Sequence, residues 1–167
     1  MSSKIFNSVI LNSTDSLYRF ALSILKEPES AEDAVQDCLT KIWNRRSNLE
    51  EIDNPQAWTF RVVRNHCLDV IRSSRRTEDL RDAHYLQDQQ VADFDLLYAD
   101  QQSWLAKVLD SLPAKQQQVY HLREVEEQSY QEICDIMGIS MNDVKVNLHR
   151  ARTMIRSKLE KVEAYGT

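Results

Sequence analysis

Residues 111–159, SLPAKQQQVYHLREVEEQSYQEICDIMGISMNDVKVNLHRARTMIRSKL, decide the fold. They spell three helices, the last two meeting across a three-residue turn and ending in a basic helix, which is the pattern of a helix-turn-helix. Ile133, Ile136 and Met137 stand at the i, i+3, i+4 spacing of one buried stripe, and Gly138 follows where a helix C-cap needs positive φ. Ser129 with Glu132, and Ser140 with Asp143, fit the S-x-x-[ED] capping box, so two capped helices flank Gly138-Ile139-Ser140. In the second helix, steps of 100° put Val144, Leu148, Ala151 and Ile155 on one face and turn Lys145, Val146, His149, Arg150 and Thr153 away from it.

From Met141 to Lys161 six lysines and arginines stand against Asp143 and Glu160, the sign that a phosphate backbone demands. A basic helix alone is as readily a solvated face; the capped helix and glycine turn before it favour a groove-binding one. The 167 residues include two glycines and three prolines, too few for a turn-rich β architecture, so the expected class is all-α, as two small helical domains joined by a linker. The formal charge of −5 is unevenly spread. Residues 77–112 hold two basic and eight acidic side chains, whereas 1–76 hold eleven and ten, and 113–167 hold eight of each. The acidic stretch, with patchy apolar residues around Phe94, Leu96, Leu97 and Tyr98, is expected to be a linker containing a short helix. The expected division is therefore a first domain over 1–76, a linker over 77–109 and a second domain over 110–167.

Other chemistry is not indicated. Cys38, Cys67 and Cys134 lack C-x-x-C spacing and are expected to be free thiols in apolar surroundings. His66, His84, His121 and His149 are scattered, without ligand spacing or a paired nucleophile, so no catalytic residue, metal or cofactor is expected. No run approaches the ~18 apolar residues of a membrane span, and the N-terminus has no cleavable apolar segment; a soluble, cytoplasmic protein without membrane insertion is the expectation.

In the first half, a strongly apolar helix starts at Leu17–Leu25, with Pro28 expected to end it and Ser30 with Asp33 to cap the next. That next helix, 31–43, directs Val35, Leu39, Ile42 and Trp43 inward and leaves Asp33, Gln36, Asp37, Thr40 and Lys41 on another face. Asn54-Pro55 opens a third helix with Trp58, Val62, Leu68 and Ile71 inward and Arg61, Arg64, Arg72, Arg75 and Arg76 largely outward. Over 61–76 only Asp69 opposes those five arginines, and Asn65 among them carries both a donor and an acceptor able to read a base edge. The chain thus has two separated cationic helices, and a flexible tether of roughly 35 residues between them would reach about 30 Å, near one turn of duplex.

Three stretches in order, AEDAVQDCLTKIW at 31–43, NPQAWTFRVVRNHCLDVIRSSRR at 54–76 and LPAKQQQVYHLREVEEQSYQEICDIMGISMNDVKVNLHRAR at 112–152, resemble the extracytoplasmic function class of bacterial RNA polymerase sigma factors. The resemblance implies that the chain binds core RNA polymerase, directs it to promoter DNA and supports strand opening, without being an enzyme. It places Asp33, Gln36 and Asp37 against polymerase. It sets Arg61, Arg64, Asn65 and Arg72 at the minus-ten element, where a base flips into a pocket at a cost of a few kcal/mol. Lys145, Val146, His149 and Arg150 fall at the minus-thirty-five element. Val146 and Asn147 depart from the family's common V-K-S-R-L pattern, and Val146 suits a thymine methyl. Trp43, Trp58 and Trp104 are expected in the core. Members are usually restrained by an antisigma factor, often membrane-bound, and the acidic linker is implied to approach the polymerase RNA channel. Two alternatives use the same helices. A stand-alone helix-turn-helix regulator would bind an operator as a dimer, with a sensing domain where this chain has an arginine-rich helix, and an antisigma-like decoy would not need Lys145 and Arg150 to contact DNA.

Overall fold

The computed structural model describes residues 1–81 and 101–165, and among them there is helix but no strand. The first half comprises α1 (Ser2–Ile5), a π-helical turn over Phe6–Ile10, a 3-10 turn over Leu11–Ser13, α2 (Thr14–Leu25), α3 (Pro28–Asn44), a 3-10 segment over Arg46–Glu51, and α4 (Pro55–Arg81). The second comprises α5 (Gln101–Asp110), α6 (Ala114–Tyr120), a π-helical turn over His121–Val125, α7 (Tyr130–Met137) and α8 (Met141–Tyr165). Helix therefore occupies both ends of the expected linker. Its acidic middle, 82–100, and the short helix expected near Phe94 lie outside the described residues.

The helix starts and stops follow local chemistry, with one correction. α2 ends because Lys26 adopts φ 66°, its amide bonding back to Leu22 O at 2.9 Å, rather than because of Pro28. Pro28 instead opens α3, where its missing N–H costs nothing and its fixed φ fits the helix. The chain enters through an extended Glu27, so Ser30 lies inside the first turn and its hydroxyl donates to Glu27 Oε2 at 2.8 Å. The expected Ser30–Asp33 box is thus not a cap. Asn54 opens α4 as expected, its Oδ1 accepting from Ala57 N at 3.0 Å. The Ser129–Glu132 box closes in both directions, Glu132 N to Ser129 Oγ at 3.1 Å and Ser129 N to Glu132 Oε1 at 3.4 Å. Gly138 takes φ +65°, which L-residues reach only with strain.

A single apolar core runs through both halves. Leu17, Phe20, Ala21 and Ile24 of α2 meet Ala34, Val35 and Cys38 of α3 and Phe60, Val63 and Cys67 of α4, and these join Val119, Leu122, Ile133, Ile136, Val144 and Leu148 of the second half. Phe20 and Phe60, both fully buried, meet at 5.7 Å between centroids with their rings tilted by 56°, each side chain contributing about 1.5–3 kcal/mol by removal from water. A smaller cluster of Phe6, Ile10, Ile42 and Leu49 seats the N-terminal turns, with Trp58 and Val62 packed partly against it. On α4 the deepest apolar residues are Ala57, Phe60, Val63 and Cys67, so the expected inward set of Trp58, Val62, Leu68 and Ile71 sits on the shoulder of the buried stripe. Trp104 is half-buried, and Trp43 departs from the expected core position. It is 38% exposed, held edge-on against Phe6 at 4.9 Å and covered by the Arg46 guanidinium at 4.1 Å.

Candidate nucleic-acid interface

Three helix faces carry the expected site residues. On α8, Val144, Leu148 and Ala151 are buried while Lys145, His149, Arg150 and Thr153 are exposed, with Val146 half-exposed beside them. The helix is held in place by Asp143 N bonding Ser140 Oγ at 3.1 Å. Asn147 turns inward, nearly buried, its amide donating to Asp143 O at 2.8 Å, so the position where the family pattern has arginine is closed off from a ligand here. Arg152 and Lys158 are also held internally: the Arg152 guanidinium pairs with Glu124, a hydrogen bond that raises its pKa, and Lys158 Nζ donates to Ser111 Oγ at 2.7 Å. Among the described residues Lys145 and Arg150 make no ion pair, so both present outward charge within the first three turns of the helix, the end that enters a groove in proteins of this architecture. Lys115 of α6 adds a further cation there, 4.0 Å from Asp143 Oδ2.

On α4 the expected residues divide into two groups. Arg61, Asn65 and Arg72 lie within about 40° of each other around the helix, and all three are exposed. Arg72 stands 3.6 Å from Asp69, an exposed pair of little energetic weight. Arg64 points toward the second half, half-buried, its Nε donating to Gln118 Oε1 at 2.7 Å; burial, and then the neighbouring charge of Arg61, lowers its pKa. Arg61 also reaches across, its Nη1 donating to Asp135 O at 3.3 Å. Trp58, Val62 and Asn65 share one stripe of α4. Under the first two opens a hollow of about 260 Å³, lined also by Arg45, Asn48, Leu49 and Ile52.

On α3, Asp33, Gln36 and Asp37 are all exposed on one face, as expected. Gln36 Nε2 approaches Glu32 Oε1 at 3.4 Å, and Asp37 Oδ2 lies 3.8 Å from His66 Nε2 on α4, so this face adjoins the side of α4 rather than standing apart from it.

Sequence reasoning missed a polar node where the halves meet. Arg19 of α2 holds Glu126 with two hydrogen bonds of 3.0 Å, Nε to Oε1 and Nη2 to Oε2, while His121 Nε2 lies 3.0 Å from the same carboxylate and its ring stacks on Phe20 at 5.7 Å. The Glu126 side chain is 2% exposed. Burial alone would raise its pKa, but the hydrogen bonds from His121 and Arg19 outweigh it and hold the carboxyl down at about 2. The only signal in the sequence was the acidic EVEE run, and a charge run is usually solvated.

Two family models match, sigma-70 region 2 over residues 12–77 and sigma-70 region 4 over residues 102–155, in that order along the chain. The RNA polymerase sigma-E factor of Streptomyces avermitilis is 30% identical over 155 residues, covering 93% of this chain and 85% of that protein. The chain belongs to the extracytoplasmic function class of RNA polymerase sigma factors. The sigma factor SigV of Bacillus subtilis is 28% identical over 152 residues, covering 86% of the chain and 84% of its own length. Among solved structures, the sigma factor RpoE of Bartonella quintana, in complex with the anti-sigma factor NepR, superposes with a TM-score of 0.74 at 27% identity, covering 90% of this chain and 94% of that one. CnrH, in complex with the cytosolic domain of CnrY, shares the fold, with a TM-score of 0.65 at 21% identity over 95% and 90% of the two chains. In this sigma factor the two matched regions correspond to the two halves of one continuous core, and α5, which but for Asp110 lies outside the expected second domain, falls within the second match from its second residue onward.

Proposed function

We propose that this sigma factor carries core RNA polymerase to its promoters through three surfaces and makes no covalent change itself. Asp33, Gln36 and Asp37 of α3 form the polymerase contact: acidic and amide groups on an exposed helix face suit a basic, hydrogen-bonding partner surface. Lys145, Val146, His149 and Arg150 of α8 read the minus-thirty-five element in the major groove. Lys145 and Arg150 are suited to guanine or phosphate, and Val146 to a thymine methyl. Arg61, Arg64, Asn65 and Arg72 of α4 engage the minus-ten element, with the hollow beside Trp58 and Val62 as a receptacle for an unstacked base and Asn65 one turn further along the same stripe. Residues 1–76 act as the polymerase and minus-ten unit and the helix-turn-helix as the minus-thirty-five unit. An antisigma protein is the natural negative partner, as the two solved relatives captured with NepR and CnrY suggest. Among the described residues no helix is long and apolar enough to cross a membrane, which accords with action beside the polymerase in the cytoplasm.

The observation that carries this reading is the presence, on one chain and in family order, of two cationic helix faces and one acidic helix face. Transcription in vitro with core polymerase, the full chain and a genomic fragment library tests it, with start sites mapped by sequencing. Start sites sharing two spaced elements are expected; start sites no different from core polymerase alone would refute it. Asp33→Lys and Asp37→Lys should weaken association with core polymerase while leaving helicity intact.

A further inference from the structure

Charge changes sign along α3. Residues 29–37 carry Glu29, Glu32, Asp33 and Asp37 and no cation, whereas 38–46 carry Lys41, Arg45 and Arg46 and no acid. A basic partner that suits the first stretch is repelled by the second, so the end of α3 and the turn after it call for an anion. There Trp43 is left partly in solvent, set edge-on against Phe6 and covered by the Arg46 guanidinium at 4.1 Å. Arg46 Nη1 donates to Trp43 O at 3.0 Å, which pins the guanidinium over the ring, and among the described residues neither Arg45 nor Arg46 forms an ion pair. Arg46 also lines a hollow of about 420 Å³, together with Asn44, Ser47 and, from α1, Ser2 and Ser3. Glu50 accepts from Ser2 Oγ at 3.0 Å and stands outside that lining. The hollow is roomier than the 260 Å³ one beside Trp58 and is made from the same turn of chain: Lys41, Arg45 and Asn48 line the first, Asn44, Arg46 and Ser47 the second.

We propose that the Arg46 hollow is a second seat for the melted strand, taking a base that neighbours the one unstacked into the hollow beside Trp58. This rests on the assignment of that first hollow to the minus-ten element. The interleaved linings put the two hollows on the order of 10 Å apart, the thickness of one helix, a span that a strand crosses within a few nucleotides. Guanidinium planes and aromatic rings hold unpaired bases by stacking, which tolerates any sequence because every base has a π face. A base in the hollow lies against the free side of the Arg46 guanidinium, with the Asn44 amide and the serine hydroxyls at its edge, and Arg45 reaches the phosphate between the two seats. Arg46 is the contact residue; Trp43 is a positioning residue that acts through it. Duplex DNA is refused, since its bases are stacked on one another and offer no face.

The test follows holoenzyme on a pre-opened promoter bubble built from a mapped start site, timing dissociation after heparin is added over a series of salt concentrations. Each position of the melted strand is replaced in turn by an abasic nucleotide. With wild type, the lifetime should fall about fivefold to thirtyfold at a position beside the unstacked base. Arg46→Lys keeps the charge and loses the plane. On the intact strand its complex should be shorter-lived by the same factor, the abasic nucleotide at that position should shorten it no further, and the salt slope should stay as in wild type. Arg46→Met should lose the same base dependence and also flatten the salt slope by roughly 0.7. Trp43→Leu should behave as Arg46→Lys does; if it loses helicity, the Arg46 variants, at a half-exposed site, carry the test alone. An abasic profile of Arg46→Lys identical to that of wild type would overturn the second seat. So would variants whose complexes live as long as wild type but which associate less with core polymerase, since Trp43 and Arg46 would then belong to the polymerase contact. A wild-type holoenzyme that selects no start site removes the functional reading and this inference with it, whereas open complexes indifferent to Arg46 remove this inference alone.

Discussion

Acid should loosen the join between the halves, and Glu126 should set the pH at which it does so. Its carboxylate is buried, accepts two hydrogen bonds from Arg19 and lies 3.0 Å from His121 Nε2, which together hold its pKa at about 2 against an ordinary value of 4.5. A group whose folded pKa is depressed contributes stability that is complete above its unfolded pKa and disappears as pH falls toward the folded one. The window is therefore pH 4.5 down to 2. A difference of this size corresponds to at most about 3 kcal/mol. Arg19 is 48% exposed, however, and solvent screening reduces the measurable share to about 1–2 kcal/mol. Urea unfolding of wild type and Glu126→Gln at pH 7, 5, 3 and 2 isolates the term, because every other carboxyl titrates in both proteins. The gap between them should be about 1–2 kcal/mol at pH 7 and 5, be clearly smaller at pH 3 and nearly vanish at pH 2. A gap that persists undiminished to pH 2 would refute the reasoning, since it could not then come from the ionised carboxylate.

Other outcomes follow from the packing and from the reading helix. Phe60→Ala empties a fully buried site against Phe20 and should cost about 3–5 kcal/mol in urea unfolding. Gly138→Ala should cost about 1 kcal/mol through its φ of +65° alone, because the nearest atom to an added Cβ is the mobile Arg61 Nη2 at 3.8 Å; a loss of several kcal/mol would point to a clash instead. Lys145→Ala and Arg150→Ala, both at exposed positions, should leave the circular dichroism unchanged and each reduce the salt slope of promoter binding by about 1. Burial pushes the Cys38 thiol up to about 11 and the Cys67 thiol up to about 12, so neither should be alkylated by iodoacetamide at pH 8 until urea is added, as read by mass spectrometry.

How much of this was legible in the chain varies by element. The helix-turn-helix was legible nearly to the residue, because its signals are local: Gly138 needs a left-handed φ, Ser129 and Glu132 satisfy each other's amides three residues apart, and Val144, Leu148 and Ala151 repeat at the period of a helix. The join between α2 and α3 was misread because a serine and an aspartate at the right spacing mimic a cap, while the actual stop is a left-handed Lys26, a conformation that lysine does not advertise. Trp43 was misplaced for a related reason: a helical stripe says which side faces inward, and not whether anything lies there to cover its last turn.

The sequence alone determined the class of the fold, the two cationic helices, the acidic face of α3 and the family, since each depends on residues close together in the chain or on motifs in order. Only the tertiary structure decided which cations remain available. It sets Arg152 against Glu124 and Arg64 against Gln118, and it buries Glu126 between Arg19 and His121. Those partners lie 28, 54 and 107 residues apart for the Arg152–Glu124, Arg64–Gln118 and Arg19–Glu126 pairs. No periodicity records such separations; they arise because Phe20, Phe60, Leu122 and Ile133 leave water together and bring the polar groups at their rim into contact.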